Sequence, residues 1–136
     1  MNASRAGASV ALTTARSSQA EDTPARLCTS VQDAMQQLTE TLAPLHRAFL
    51  IGGAALYAEC LALPPDAAGA VERVLLTRVL TPAFADCDVS MPDFASNGGW
   101  RRAEHAELAH WAGGGVPEGV QHENGVEYEF QMWLRE

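Results

Sequence analysis

The segment Phe49-Leu50-Ile51-Gly52-Gly53, continued by Ala54-Ala55-Leu56-Tyr57, restricts the fold more than any other part of the chain. An apolar run stops at two glycines, and a helix-prone segment starts at once. The run Ala48-Phe49-Leu50-Ile51 predicts a strand buried on both faces, as strands of parallel sheets are. The glycines predict a strand-to-helix turn free of Cβ atoms. A backbone can approach a flat or phosphorylated ligand there, with free helix N–H groups pointing at it. Open α/β sheets bind their ligands at such turns. Taken alone, the glycine pair reads first as a plain tight turn between two elements of any α/β domain.

The 136 residues, 47% of them hydrophobic, suffice for one domain with one core. A formal net charge of -8 argues against a nucleic-acid partner, because a phosphate backbone calls for a basic surface. No apolar run is long enough to span a bilayer as a helix. Cys28, Cys60 and Cys87 are odd in number and lack CxxC spacing, which predicts buried thiols in a reducing compartment rather than disulfides or a zinc site. His46, His105, His110 and His122 show no ligand spacing, so no metal is expected. Residues 1–20 hold Arg5, Arg16, many small residues and no acid, the composition of an organelle transit peptide. The other reading makes Ser9-Val10-Ala11-Leu12 a short strand ending in Thr13-Thr14, with residues 1–8 disordered.

Further along, Ser17 to Pro24 reads as a loop and Arg26-Leu27-Cys28 as a second short strand. Thr29 or Ser30 can cap a helix whose apolar face is Val31, Ala34, Met35, Leu38 and Leu42, ended by Pro44. Ala54 to Leu63 predicts a short helix stopped by Pro64-Pro65. Val71 to Leu80 predicts a strand, and Thr81 to Asn97 a loop in which Asp86 and Asp88 are solvated charges. Trp100 to Trp111 and Val126 to Leu134 read as paired antiparallel strands. Asn124-Gly125 supplies the positive φ angles of a tight turn before the second of them. Glu118, Glu123, Glu127 and Glu129 are expected on a solvated face.

Four motifs stand in order: the Ile51-Gly52-Gly53…Leu56-Tyr57 turn, the strand Leu76-Thr77-Arg78, the loop Cys87-Asp88…Pro92, and the ending Glu127-Tyr128-Glu129-Phe130. In this order and at these separations, the set resembles the C-terminal part of dihydrofolate reductase, from about Ser9 to the end. The long stretch from Trp111 to Gly125 is similar to the eukaryotic, especially fungal, form. The resemblance implies one domain over 1–136, an incomplete α/β fold with a mixed, mostly parallel sheet, helices on both faces and an antiparallel C-terminal strand. It also implies a cytoplasmic enzyme, monomeric at full length, reducing dihydrofolate with NADPH and binding antifolates. It favours the strand reading of the N-terminus.

Residue by residue, the resemblance implies that Leu12, Thr13 and Thr14 meet the adenosine and 2′-phosphate end of NADPH, with Arg16 as a phosphate ligand or a solvated loop charge. It implies a cis peptide between Gly52 and Gly53. Ala54, Ala55, Leu56 and Glu59 would flank the cofactor beside that turn. Ile51 and Tyr57 would contact both nicotinamide and pterin. Thr77 would bind the substrate side through an acidic residue and water, and Asp88 would hold a mobile loop. That acid sits on the family's first helix, in an N-terminal third with no counterpart here, so no catalytic residue is assigned. The strand matching 48–51 would also lack both neighbours, and the chain alone is expected to be marginally stable and nearly inactive. Two other readings stand beside this one: the related reductase of riboflavin biosynthesis on the same fold, and a non-catalytic remnant of a nucleotide site.

Overall fold

The computed structural model describes residues 10–12, 26–42, 47–96 and 98–136. Two short strands, β1 (Val10–Leu12) and β2 (Arg26–Cys28), pair antiparallel, with Leu12 opposite Arg26. Helix α1 (Val31–Leu42) follows at once. Its start is written in the sequence, because the Ser30 hydroxyl accepts the Asp33 N–H at 3.0 Å while the Asp33 carboxylate accepts the Thr29 N–H at 3.2 Å. Val31 and Ala34 of its apolar face are buried and Met35 packs beside them. Pro44 and the side chain of Leu42 lie outside the described residues.

Helix α2 (Ala54–Leu61) is shorter than expected by two residues and precedes Pro64-Pro65. It buries Cys60 and packs Leu56 against Cys28, Val31 and Ala34, with Leu50 and Val71 closing this first core. Cys60 is a core thiol whose pKa is raised by burial and then by the neighbouring Glu59 carboxylate. Cys87, by contrast, is exposed in a loop whose neighbours 81–91 are exposed as well, so the expectation of buried thiols fails there.

The larger sheet is built on β6 (Val126–Arg135). One side of β6 pairs antiparallel with β3 (Arg73–Thr81), in a register running from Arg73 opposite Leu134 to Val79 opposite Tyr128, with a bulge between Val79 and Thr81. The other side takes β4 (Trp100–Arg102) and β5 (Gln121–Glu123). The strand order is therefore β3-β6-β4, with β5 beside β6. Asn124 and Gly125 have φ angles of 49° and 77° and join β5 to β6 as the primed two-residue turn their residue types predict. Gln131 and Met132, adjacent and on opposite faces, are both buried, so β6 is covered on both sides. The Gln131 amide donates to Glu129 and accepts the Trp133 indole N–H at 2.9 Å, satisfying a buried polar group. Glu129 also pairs with Arg102 at 3.0 Å, which removes it from the solvated face expected for the four acids. The loop between β3 and β4 folds back through Phe94, whose ring stands edge-on to Trp100 and Trp133.

Two expectations are overturned. Trp100–Trp111 is a strand only to Arg102, and residues His105–Ala112 form helix α3. The segment Arg101–Gly115 has no β-branched residue and four alanines, a helical composition that an alternating pattern had masked. Its start is fixed when the Glu107 carboxylate accepts the Glu104 N–H at 3.1 Å, and its end by Gly113 in the left-handed region at φ 86°. Ala103 and Leu108 then form a second core with Met132, ringed by Trp111, Val116, Phe130 and Leu134.

The run Ala48–Ile51 belongs to no strand. A both-faces-buried strand needs a neighbour on each edge, and none of the described residues supplies one. Only Leu50 reaches the core; Phe49 and Ile51 face solvent, at 63% and 90% exposure. Every pairing among the described strands is antiparallel, and the expected parallel pairings are not among them.

Candidate functional site: the Gly52-Gly53 turn

The two glycines do different work. Gly52 has φ 120°, a region L side chains rarely adopt, and a Cβ added there would stand 3.4 Å from the Tyr57 hydroxyl oxygen. The Tyr57 ring thus closes over the turn from the helix side. Gly53 has φ -87° and open space around a hypothetical Cβ, so its lack of a side chain leaves a vacant surface. The peptide between them is cis, as the resemblance implies.

Helix α2 begins directly behind this surface. The first helical bond to the turn is Tyr57 N–H to the Gly53 carbonyl, at 3.0 Å. The N–H groups of Ala54, Ala55 and Leu56 precede it, in the turn of a helix whose donors have no intrahelical partner. No acid lies in that first turn, and no side chain caps it. The positive end of the helix dipole therefore faces the glycine surface uncompensated, a setting suited to a phosphate. Ala55 and Glu59 are exposed on the same helix, and Ala54 and Leu56 are half-buried. Among the described residues, the donors that a pyrophosphate would meet at this turn are the backbone N–H groups of the helix start. The residues present fit a dinucleotide's phosphates on these grounds.

Ile51, Gly52 and Gly53 lead directly into α2, which carries Ala54, Ala55, Leu56, Tyr57 and Glu59. Thr77 lies mid-way along β3, exposed and opposite Phe130, and Asp88 lies exposed in the loop between β3 and β4. Among the described residues, no hydrogen bond links either of them to the turn. Leu12 ends β1; Thr13, Thr14 and Arg16 lie outside the described residues. Among the described residues, no three His, Cys, Asp or Glu side chains are grouped to hold a metal ion, and no helix is long and apolar enough to cross a membrane.

One supporting contact had no signal in the sequence. The Arg47 guanidinium lies 4.4 Å from the Trp111 ring centre and donates to the Trp111 carbonyl at 3.4 Å. Phe49 meets the same indole edge-on at 6.2 Å. These contacts tie the residues before the turn to α3 across a separation of 64 positions, beyond the reach of any local pattern.

An α/β chain with a side-chain-free turn at the open N-terminus of a helix has a geometry that phosphate- and nucleotide-binding architectures use. Comparison with known proteins narrows that class. The chain is 34% identical over 129 residues to a dihydrofolate reductase of Cryptococcus neoformans, covering 78% of this chain and 55% of that protein. It is 32% identical over 102 residues to the dihydrofolate reductase of Pneumocystis carinii, covering 72% and 46%, and 28% identical over 128 residues to that of Aedes albopictus, covering 91% and 59%. The chain is dihydrofolate-reductase-like in sequence, and it spans about half the length of the curated relatives it matches. No family model matches it.

Proposed function

We propose that this chain carries the cofactor half of a dihydrofolate reductase site, and that the whole protein reduces 7,8-dihydrofolate to tetrahydrofolate with NADPH. The observation that carries the reading is the vacant Gly53 surface in front of the α2 N-terminus, in a chain 34% identical to a dihydrofolate reductase. The backbone N–H groups of Ala54, Ala55 and Leu56 bind the cofactor pyrophosphate, while Glu59 flanks it. Leu12, Thr13 and Thr14 take the adenosine end. When bound, NADPH supplies the hydride. Ile51 and Tyr57 flank the junction of nicotinamide and pterin, with the Tyr57 hydroxyl held over Gly52. Thr77 serves the substrate side and Asp88 holds a loop over the nicotinamide. A mostly parallel sheet in the whole protein would take residues 48–51 in as a strand.

The proton donor of the family's reaction is not assigned to any residue here. The chain alone is accordingly a weak catalyst. A sample consuming NADPH with dihydrofolate at an ordinary dihydrofolate reductase rate overturns that statement.

A second reading has its own observation. Ile51 at 90% exposure offers no wall to a pterin, which favours a nucleotide-binding remnant without substrate binding. Titration of the chain with NADPH and then with an antifolate separates the two. Binding of both supports the reductase reading, NADPH alone supports the remnant or the related riboflavin-pathway reductase, and binding of neither refutes a working nucleotide site.

A further inference from the structure

Residues 113–125, between α3 and β6, are fastened to the second core by two histidine–carboxylate contacts that the Gly52-Gly53 site does not use. The segment leaves α3 through Gly113-Gly114-Gly115, three residues of positive φ with no side chain to pin them. It borders a cavity of about 420 Å³ lined by the buried Ala103, Leu108 and Met132, by Phe130, and by its own Glu118 and Gly119. Val116 packs against that core and is the one residue of 112–120 that is not exposed. These parts all lie within residues 103–132, and β5 takes the edge of β6 away from β3.

At one end, the Val116 carbonyl lies 2.9 Å from His105 Nε2. A carbonyl only accepts, so Nε2 carries the hydrogen and Nδ1 of the neutral ring is a bare acceptor. That Nδ1 faces the Glu118 carboxylate at 3.9 Å, acceptor toward acceptor, and the contact turns attractive only when Nδ1 gains a proton. At the other end, His122 Nδ1 lies 3.3 Å from Glu127, its partner across the β5–β6 ladder. We infer that residues 113–125 form an acid-tightened strap over this cavity: proton uptake by His105 and His122 turns both contacts into ion pairs and holds the strap down. The charged groups around His105 are Glu104 before the helix, Glu118 on the strap, and Arg102 of β4 with Glu129 of β6, which pair with each other at 3.0 Å. Glu107 of its own helix is taken by Arg101. Beside His122, Glu123 accepts the Tyr128 hydroxyl at 3.2 Å. Between about pH 5 and 8, carboxylates and guanidinium groups as classes keep their charge while imidazoles change theirs. The strap is therefore tighter at the acid end of that window. Both pairs reach solvent, so each shifts the opening equilibrium by only about two- to fivefold.

The inference is independent of the proposed function, since no residue of the strap belongs to the Gly52-Gly53 turn. Amide exchange of the full chain, read by nuclear magnetic resonance at about pH 5.5 and about pH 8, tests it. Rates are corrected for the intrinsic pH dependence of exchange, and the β3 amides serve as the reference for global opening. Protection of the amides from Val116 to Glu123, relative to β3, is expected to be about two- to fivefold higher at the lower pH. The double change Glu118→Gln, Glu127→Gln keeps the shape of two side chains that reach solvent and is expected to erase that difference. If the double variant loses its sheet signal, each single change carries the same comparison at its own end of the strap. Equal protection at the two pH values, greater protection at pH 8, or strap amides that move only in step with β3 overturn the inference. A difference that persists in the variants overturns it as well.

Discussion

At the scale of single residues, the two glycines of the turn answer to different constraints, and substitution separates them. Gly52 has φ 120°, a backbone region that L side chains rarely adopt, so Gly52→Ala is expected to lower stability by about 1–3 kcal/mol, read as a fall in the thermal midpoint. Gly53 has no such constraint, and Gly53→Ala is expected to leave the midpoint unchanged. A chain that tolerates Gly52→Ala without loss would show that the turn does not hold that positive φ. Both glycines were visible in the sequence, but their division of labour was not: it depends on which of them takes the positive φ, and that is set by the path of the chain into the helix.

At the scale of elements, α3 and β4 are joined by one carboxylate. Glu107 accepts two bonds from Arg101, at 2.9 and 3.0 Å, and one from the Glu104 N–H. Arg101 first, and then the Glu104 backbone, hold the Glu107 carboxyl at about 2, against an ordinary 4.5. A depressed folded-state value stabilises the fold above the unfolded value and loses that contribution as pH falls. The contribution is therefore present above about pH 4.5 and is lost by about pH 2. Because both groups are exposed, the effect is small and screened by salt. Glu107→Gln is expected to flatten the stability profile between those pH values, checked by denaturant titration at each pH; an unchanged profile would contradict the pairing. At α1, Ser30→Ala removes the oxygen that accepts the Asp33 N–H and is expected to cost about 1 kcal/mol, measured by chemical denaturation.

Elements with local determinants were legible in the sequence: the Ser30 start of α1, the Asn124-Gly125 hairpin, and the alternating β6. Two were not. Residues 105–112 alternate well enough for a strand, and their alanines, the Glu104–Glu107 cap and Gly113 decide for a helix. Residues 48–51 have the composition of a buried strand, yet strand formation needs partners, and composition says nothing of whether they are present. At the site, the turn and its helix were legible because they are contiguous. The Arg47–Trp111–Phe49 brace was not, because its parts are far apart in the chain.

At the scale of the whole molecule, two small cores share the load, one around Cys28, Val31, Ala34 and Cys60 and one around Ala103, Leu108 and Met132. They are tied by few contacts: the Arg135 guanidinium donates to the Leu63 carbonyl at 2.8 Å, the Arg135 N–H to the Glu72 carbonyl at 3.0 Å, and Arg47 reaches Trp111. Met132 is 2% exposed at the centre of the second core, and Met132→Ala is expected to cost about 2–5 kcal/mol. A domain of ordinary stability has only about 5–15 kcal/mol in all, so this single change is expected to unfold much of the sheet, seen as lost far-ultraviolet signal at room temperature. A chain whose midpoint barely moves would place its stability in the first core instead.

The central claim is that the vacant surface at Gly53, facing the α2 N-terminus, receives the phosphates of NADPH. Calorimetric titration of NADPH into the wild-type chain and into Gly53→Ala tests it most directly. The expected result is saturable binding to the wild type and a clear loss of affinity in the variant at an unchanged thermal midpoint. Equal binding by the two chains, or none by the wild type, would contradict it.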